Sequence, residues 1–254
     1  MIIDQGIAQL VLNRPEKHNA FDEKVIAQFT QNLENVAKEK SIRVLQISAR
    51  GKNFCAGADL HWMERMAAYD QAENLKDAGA LGQLMHRLYS MPQPTIGMVQ
   101  GAAYGGGVGL ASCCDIVLAT PDAKFCLSEV KLGLIPAVIS PYVINALGPK
   151  RAQRLFLTAE IFSAEQARDW GLVDYIHPQD RLKEEADALS ELLRKNGPMA
   201  IEKSKELVRN IANRPIDQNL IAETARYIAD QRASPEAKSG LKAFFSKTKP
   251  EWIF

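Results

Sequence analysis

The stretch GAAYGGGVGLASCCDIVLATPDAKFCLSE, Gly101 to Glu129, joins a glycine triplet, a small-residue helix, a strand and a lone carboxylate within one turn of chain. It is fed by an apolar, strand-like run from Pro94 to Gln100. Gly105-Gly106-Gly107 lets the backbone approach another group closely, because glycine tolerates φ angles and crowding that other residues do not. The spacing predicts a helix over Val108 to Cys113, whose first N–H groups lack intrahelical partners and carry the positive end of the helix dipole. Such a start suits an oxygen that gains negative charge. Ile116 to Ala119 then reads as a strand, Phe125 to Leu127 as a shorter one, and Glu129 follows in small and apolar surroundings.

Upstream, Ile7 to Leu12 is a β-favouring run stopped by Asn13-Arg14-Pro15. From Asp22 to about Lys38, Val25, Ile26, Phe29, Leu33 and Val36 recur at helical spacing. Arg43 to Ser48 is a second strand, so the strand, helix, strand order predicts parallel pairing with a crossover. Phe54 to Leu60 is a second small-residue loop at a strand's C-terminal end, where parallel sheets bind ligands. HWMERMAAY, from His61, reads as helical. Tyr69 to Ala80 has weak periodicity and reads as a mobile flap, with a helix resuming over Leu81 to Leu88.

Downstream, helices are predicted over Ala137 to Leu147, with Pro141 confined to the first turn, and over Lys150 to Leu157. Ser163 and Gln166 form a capping-box pattern that opens a helix ending at Trp170-Gly171. Leu172 to Ile176 is strand-like. Helices over Leu182 to Arg194, Ala200 to Ile211 and Leu220 to Arg232 complete the chain. The class is α/β, divided into a core of residues 1–194 and a helical region of residues 195–254.

A chain of 254 residues that is 46% hydrophobic can bury a large core as one domain. Its formal charge of +1 supplies no overall basic field for nucleic acid or anionic membrane. The four cysteines, Cys55, Cys113, Cys114 and Cys126, lack metal-site spacing and read as reduced thiols in a cytoplasmic protein. No metal site, no leader and no membrane span is expected.

Several motifs together resemble the crotonase family, also called the enoyl-CoA hydratase/isomerase superfamily. They are NRPEKHNAFD (Asn13 to Asp22), FCAGADL (Phe54 to Leu60), GAAYGGGVGLASCCDI (Gly101 to Ile116), FCLSEVKLGLIP (Phe125 to Pro136) and ARDWGLVDYIHP (Ala167 to Pro178). The resemblance implies a crotonase-like spiral of ββα repeats, a C-terminal helical trimerisation region, and self-association as a trimer or a dimer of trimers. It implies an acyl-CoA thioester as substrate, with coenzyme A part of the substrate and no separate cofactor. By the same resemblance, the backbone N–H groups of Ala58 and Gly106 form an oxyanion hole that stabilises a thioester enolate. Losing one such donor typically costs about 3 to 4 kcal/mol of transition-state stabilisation. Substrate-binding positions carried over from the family are Lys17, Ala20, Ala56, Asp59, Leu60, His61, Gly105 and Gly109. Lys247 or Lys249 is placed near the phosphates of a neighbouring subunit's ligand.

One departure stands out. Hydratases of this family carry two glutamates; Glu129 matches the second, while Gly109 stands where the first would be. A single carboxylate can still activate water for attack at Cβ and return a proton to Cα. Details around Asp59 to Met63 and Leu127 to Glu129, followed by PAVISP from Pro136 to Pro141, resemble bacterial methylglutaconyl-CoA hydratases of leucine and isoprenoid catabolism. The expected activity is therefore hydration of a branched enoyl-CoA. A Δ3,Δ2-enoyl-CoA isomerase also fits one glutamate, and a non-catalytic acyl-CoA or RNA binder is the reading from another class. For Glu129 itself the bland alternative is an ion pair with Lys131 or Arg151. His18, His61, His86 and His177 receive no catalytic role, and Asp115 is read as a structural hydrogen-bonding residue. Tyr104, Tyr142 and Trp62 are candidates for shaping an acyl pocket.

Overall fold

The computed structural model describes residues 1–253, and four successive turns of the chain follow one plan: a strand, a second extended segment, then a helix. The first turn holds β1 (Ile2–Asp4), β2 (Ile7–Leu12), the extended residue Phe21 and α1 (Glu23–Lys38). The second holds β3 (Val44–Ala49), an extended segment at Cys55 to Ala58, α2 (Leu60–Met66) and α3 (Gln71–Tyr89). The third is β4 (Thr95–Val99), β5 (Ala102–Tyr104) and α4 (Gly106–Cys113); the fourth is β6 (Ile116–Ala119), β7 (Lys124–Cys126), α5 (Ser140–Leu147) and α6 (Pro149–Thr158). There follow β8 (Phe162–Ser163), α7 (Ala164–Asp169), β9 (Tyr175–Ile176), and four helices: α8 (Leu182–Arg194), α9 (Pro198–Ile211), α10 (Gln218–Ala233) and α11 (Pro235–Ser246).

The first strands of the turns build one six-stranded sheet in the order β1-β2-β3-β4-β6-β9, parallel apart from β1. Gln5 and Gly6, both at positive φ, make the two-residue turn that folds β1 back on β2. The second extended segments build a narrow layer of their own: Phe21 bridges Ala58, Cys55 bridges Ala103, and β5 pairs with β7, which pairs with β8. This is the ββα spiral expected from the sequence.

Side-chain alternation divides the large sheet between two cores. Leu45 and Ile47 face the main core with Leu10, Phe29, Leu33 and Met85. Val44, Ile96, Met98 and Leu118 face Leu182 and Ala186 of α8. Between these residues of β3, buried Gln46 donates to Asp187 Oδ1 and Ser190 Oγ at 3.0 and 2.9 Å. α1 follows its amphipathic pattern, and Asp22 caps it by accepting from Val25 N at 2.9 Å.

The flap read over Tyr69 to Ala80 is corrected: it is the first half of α3. Asp70 accepts from Glu73 N at 2.8 Å while the Glu73 carboxylate accepts from Asp70 N at 2.9 Å, a reciprocal cap that starts the helix despite its weak periodicity. Only Leu84, Met85 and Leu88 of α3 are buried, so its outer turns carry no apolar stripe to read. β1, β5 and α11 add to the elements that the pattern predicts; α11 begins at Pro235, capped by Ser234. The capping box at Ser163 and Gln166 is present as expected.

Candidate active site

Three consecutive turns of the spiral deliver one element each to the same place. Cys55 N donates to Ala102 O at 3.0 Å and Tyr104 N to Cys55 O at 2.9 Å, which lays the FCAGADL loop alongside β5. On its other side Phe21 N donates to Gly57 O and Asp59 N to Phe21 O, both at 2.7 Å. The polar groups of residues 57 and 59 are therefore used toward Phe21, and the Ala58 N–H is left pointing to the opposite side, as the alternation of an extended chain requires.

Gly106 is the first residue of α4, and its N–H has no intrahelical acceptor. Among the described residues, neither the Ala58 N–H nor the Gly106 N–H donates to a protein acceptor. Two features of the triplet allow the two loops to come together. Gly105 sits at φ +49 and ψ −113, a conformation open to glycine, and a Cβ on Gly107 would lie 2.6 Å from Cys55 O. The ring of Phe21 packs over Gly106, with Cδ2 and Cε2 each 3.1 Å from where its Cβ would be.

Glu129 arrives from the fourth turn. It follows β7, whose Cys126 O accepts from Gly105 N at 2.9 Å, and it opens a short 3-10 turn that ends at Leu132. Its Oε1 lies 3.1 Å from the Cβ position of Gly105, so the carboxylate faces the start of α4. Oε2 is buried and has no hydrogen-bond partner among the described residues. Among the described residues neither Lys131 nor Arg151 pairs with it, so the ion-pair alternative is corrected. Burial pushes the Glu129 carboxyl above the usual carboxylate range. A half-buried carboxylate with one unpartnered oxygen and a raised pKa is poised to take up a proton from a ligand.

The other residues expected at the ligand divide into groups. Lys17 Nζ is bonded to Asp59 Oδ2 at 2.7 Å, so these two bind each other. Asp59 also caps α2 through His61 N at 3.0 Å and Trp62 N at 3.4 Å, and it receives Arg14 Nη2 at 3.4 Å. Ala20 is buried and Ala56 half-buried on the strip beside the oxyanion candidates, while Leu60 and His61 are exposed at the start of α2. Gly105 lines the carboxylate. Gly109, one turn further along α4, is buried against Ile139 and Met85. Lys247 and Lys249 are exposed beyond the last helix.

Several participants were not singled out from the sequence. Arg14 bridges Asp22 at 2.6 Å and Asp59, and Asn19 accepts from Arg14 N while donating to Arg50 O and Asn53 O, each at 2.8 Å. Both lie in the NRPEKHNAFD motif, which was the available signal. Ile139 lies in the Pro136 to Pro141 stretch of the subfamily resemblance, but its contact with Gly109 was not legible from it.

None of the thiols competes as a nucleophile. Burial raises all four, Cys55 to about 12. Among the described residues no cluster of side chains could hold a metal ion, and no helix is long and apolar enough to cross a membrane. The arrangement can polarise a carbonyl oxygen between two backbone donors and move a proton at an adjacent carbon through one carboxylate.

A model of the enoyl-CoA hydratase/isomerase family matches residues 3–253. The chain is 46% identical to an enoyl-CoA hydratase from Shewanella pealeana ATCC 700345; its crystal structure superposes with a TM-score of 0.96, covering 99% of this chain and 94% of that one. It is 32% identical over 249 residues to the 2,3-dehydroadipyl-CoA hydratase of Escherichia coli K12, covering 98% of this chain and 95% of the relative. With the 1,2-epoxyphenylacetyl-CoA isomerase of the same organism it shares 31% identity over 256 residues, covering 98% and 96%.

Proposed function

Because the chain belongs to the enoyl-CoA hydratase/isomerase family, we propose that it is a hydratase that reversibly adds water across the 2,3 double bond of an enoyl-CoA, with Glu129 as its only acid–base group. The observation that carries this reading is the meeting of the Glu129 carboxylate, whose buried Oε2 has no partner among the described residues, with the start of α4, beside the free N–H groups of Gly106 and Ala58. The thioester oxygen accepts from both N–H groups. Water bound to Glu129 loses a proton to the carboxylate as its oxygen attacks Cβ. Negative charge then collects on the thioester oxygen as an enolate, where fixed donors in a water-poor site stabilise it most. The protonated carboxyl returns its proton to Cα, and the carboxylate is regenerated. One group serves both steps because water and Cα lie on the same face of the acyl chain. The reverse sequence dehydrates.

We assign the acyl group to the branched, 3-methylglutaconyl type, supported by the sequence details around Asp59 to Met63 and Leu127 to Glu129. Lys17, Ala20, Ala56, Asp59, Leu60 and His61 then form and support the strip along which the coenzyme runs. A trimer or dimer of trimers is proposed for the assembly, supported by Leu241, Phe244 and Phe245, which α11 leaves exposed. A second reading, Δ3,Δ2 isomerisation, draws on a separate feature: hydrocarbon from Ile139 stands where a second acid would be, and a proton shuttle needs one base only.

Turnover in water enriched in 18O distinguishes these. With 3-methylglutaconyl-CoA the hydratase incorporates label at Cβ. Migration of the double bond of a 3-enoyl-CoA without label would replace hydration by isomerisation.

A further inference from the structure

The two N–H groups assigned to the thioester oxygen belong to different turns of the spiral, Ala58 to the second and Gly106 to the third, and one residue of the first turn bears on both. Phe21 N donates to Gly57 O and Asp59 N donates to Phe21 O, both at 2.7 Å, so the main chain of Phe21 grips the loop on either side of Ala58. These bonds are at the short end of the N–H···O range. The ring of the same residue turns to the other donor. Its Cδ2 and Cε2 each lie 3.1 Å from the point where a Cβ of residue 106 would stand. Carbon atoms pack best at about 3.5 to 4.0 Å, so the ring fills the space that a side chain at Gly106 would need.

Phe21 is itself fixed in place. Arg14 Nη1 donates to Asp22 Oδ2 at 2.6 Å and to Ala20 O at 3.4 Å, which ties down the residues on both sides of it. Asp22 in turn caps α1. The Phe21 side chain is 1% exposed and belongs to the main core, where close packing leaves a ring little room to re-orient. The position of one donor is thus transmitted to the other through a single held residue.

We infer that Phe21 is a positioning residue of the oxyanion hole: its main chain clamps the Ala58 peptide while its ring bears on Gly106, so that this one residue sets the separation of the two donors. This rests on the reading of Ala58 and Gly106 as donors to a thioester oxygen and adds the group that holds them in register. Fixed donors stabilise an enolate only when they already stand within hydrogen-bond range of the oxygen, and a misplacement of about 1 Å costs up to about 100-fold in rate. Phe21 acts through the two peptides and not on the substrate.

The test shortens the ring and keeps the main chain. The carbonyl stretch of butanoyl-CoA labelled with 13C at the carbonyl, an unreactive ligand, is read by infrared difference spectroscopy on the wild type, Phe21→Leu and Phe21→Ala. Hydration of 3-methylglutaconyl-CoA supplies kcat and KM. Phe29→Leu and Phe29→Ala make the same exchanges elsewhere in the main core and control for lost stability, which melting curves measure. Binding to the wild type should lower the carbonyl frequency. Phe21→Ala should return it toward its value in water and lower kcat by about 10- to 100-fold with a smaller change in KM. Leucine keeps a carbon at the δ position and loses the ε contact, so Phe21→Leu should fall between the two. The Phe29 variants should lower the melting temperature and leave the frequency where it is. An unchanged frequency in folded Phe21→Ala, or an equal shift in Phe29→Ala, overturns the assignment. If Phe21→Ala does not fold, Phe21→Leu against Phe29→Leu decides alone. Should the wild type polarise the carbonyl yet hydrate no enoyl-CoA, the hydratase reading falls and the frequencies decide the role of Phe21. A wild-type frequency equal to that in water removes the oxyanion hole and Phe21 with it.

Discussion

Lys17 Nζ and Asp59 Oδ2 form a 2.7 Å ion pair directly beside the loop that presents the Ala58 N–H. Asp59 is the hub of that loop. Its other oxygen caps α2 through the N–H groups of His61 and Trp62, and Arg14 reaches it from the NRPEKHNAFD segment. Lys17 holds the carboxyl of Asp59 below the usual carboxylate range, chiefly through its hydrogen bond. A charge-assisted contact of this kind fixes the peptide before it, and misplacing a backbone donor is expensive in rate.

Asp59→Ala should therefore lower kcat by roughly 10- to 100-fold, below the loss typical when a donor disappears altogether, with a smaller change in KM. The carbonyl stretching frequency of a bound thioester should move back toward its value in water. Lys17→Ala separates positioning from ligand binding: a positioning lysine gives a fall in kcat, whereas a rise in KM at constant kcat would show that it leaves Asp59 to hold the coenzyme.

The acid–base group has a signature in pH. Glu129 must be ionised to accept a proton, and its burial raises its pKa above the ordinary 4.5. The acid limb of kcat/KM should therefore lie above that value and vanish with the activity in Glu129→Gln, whose turnover should drop by about 100- to 10,000-fold. Stability should move the opposite way. A carboxyl whose folded pKa is raised contributes its stability below the unfolded pKa and loses it as pH rises through the folded one. Glu129→Gln, which mimics the protonated form, should melt above the wild type at neutral pH and lose that advantage below about pH 4. Equal melting temperatures throughout would mean that the carboxylate is better solvated than its unpaired Oε2 implies.

The C-terminal helices are docked by a second buried contact. Asp115 accepts from Thr95 N and Thr95 Oγ1 at 2.7 and 2.8 Å and from Lys205 Nζ of α9 at 2.5 Å, so the structural role expected of Asp115 is the observed one. Lys205 also donates to Gln93 O, and burial draws its pKa down. Removing the carboxylate strands an ammonium group whose side chain is 11% exposed. Asp115→Ala should destabilise the protein by about 2 to 3 kcal/mol, less than a fully buried pair would because Asp115 is itself partly exposed. Chemical denaturation measures this. A loss under 0.5 kcal/mol, about the scatter of ordinary surface changes, would show that water replaces the partner.

The parts of this fold that the sequence made legible are those in which one local rule acts alone. Val25, Ile26, Phe29, Leu33 and Val36 wrote α1 in a period that nothing else competes with, and the Ser163 cap fixed the start of α7. Residues 69–80 misread as a flap because the outer half of α3 buries nothing and is held by its Asp70 and Glu73 cap. The second strands were harder still. Phe21 and Cys55 contribute single bridges, too short for any period, and their partners lie 37 and 48 residues away in Ala58 and Ala103. In the site, Ala58, Gly106 and Glu129 were reached through spaced motifs. Ile139 fell within the quoted Pro136 to Pro141 stretch, but its place against Gly109 was not legible, because a buried isoleucine before a helix looks the same whether it fills a core or replaces a missing side chain.

That ambiguity has a direct energetic test. Gly109→Ala adds one carbon, which would stand 2.4 Å from Ile139 Cγ2. Overpacking of this kind costs about 1 to 3 kcal/mol, while exchanging glycine for alanine inside a helix gains up to about 1 kcal/mol. The single variant alone is thus a blurred measurement. Ile139→Ala removes the obstacle at its own cost of about 2 to 5 kcal/mol in cavity and lost burial. In the double variant the new methyl enters the space just emptied, and the helix-propensity gain cancels across the cycle. The two changes should therefore couple by about 1 to 2 kcal/mol, with the double variant more stable than the sum of the singles. Additive effects would show that Ile139 does not occupy the volume of a residue-109 side chain. The same cycle sets the condition for returning a second acid: Gly109→Glu should fold well only where Ile139 has been reduced to alanine.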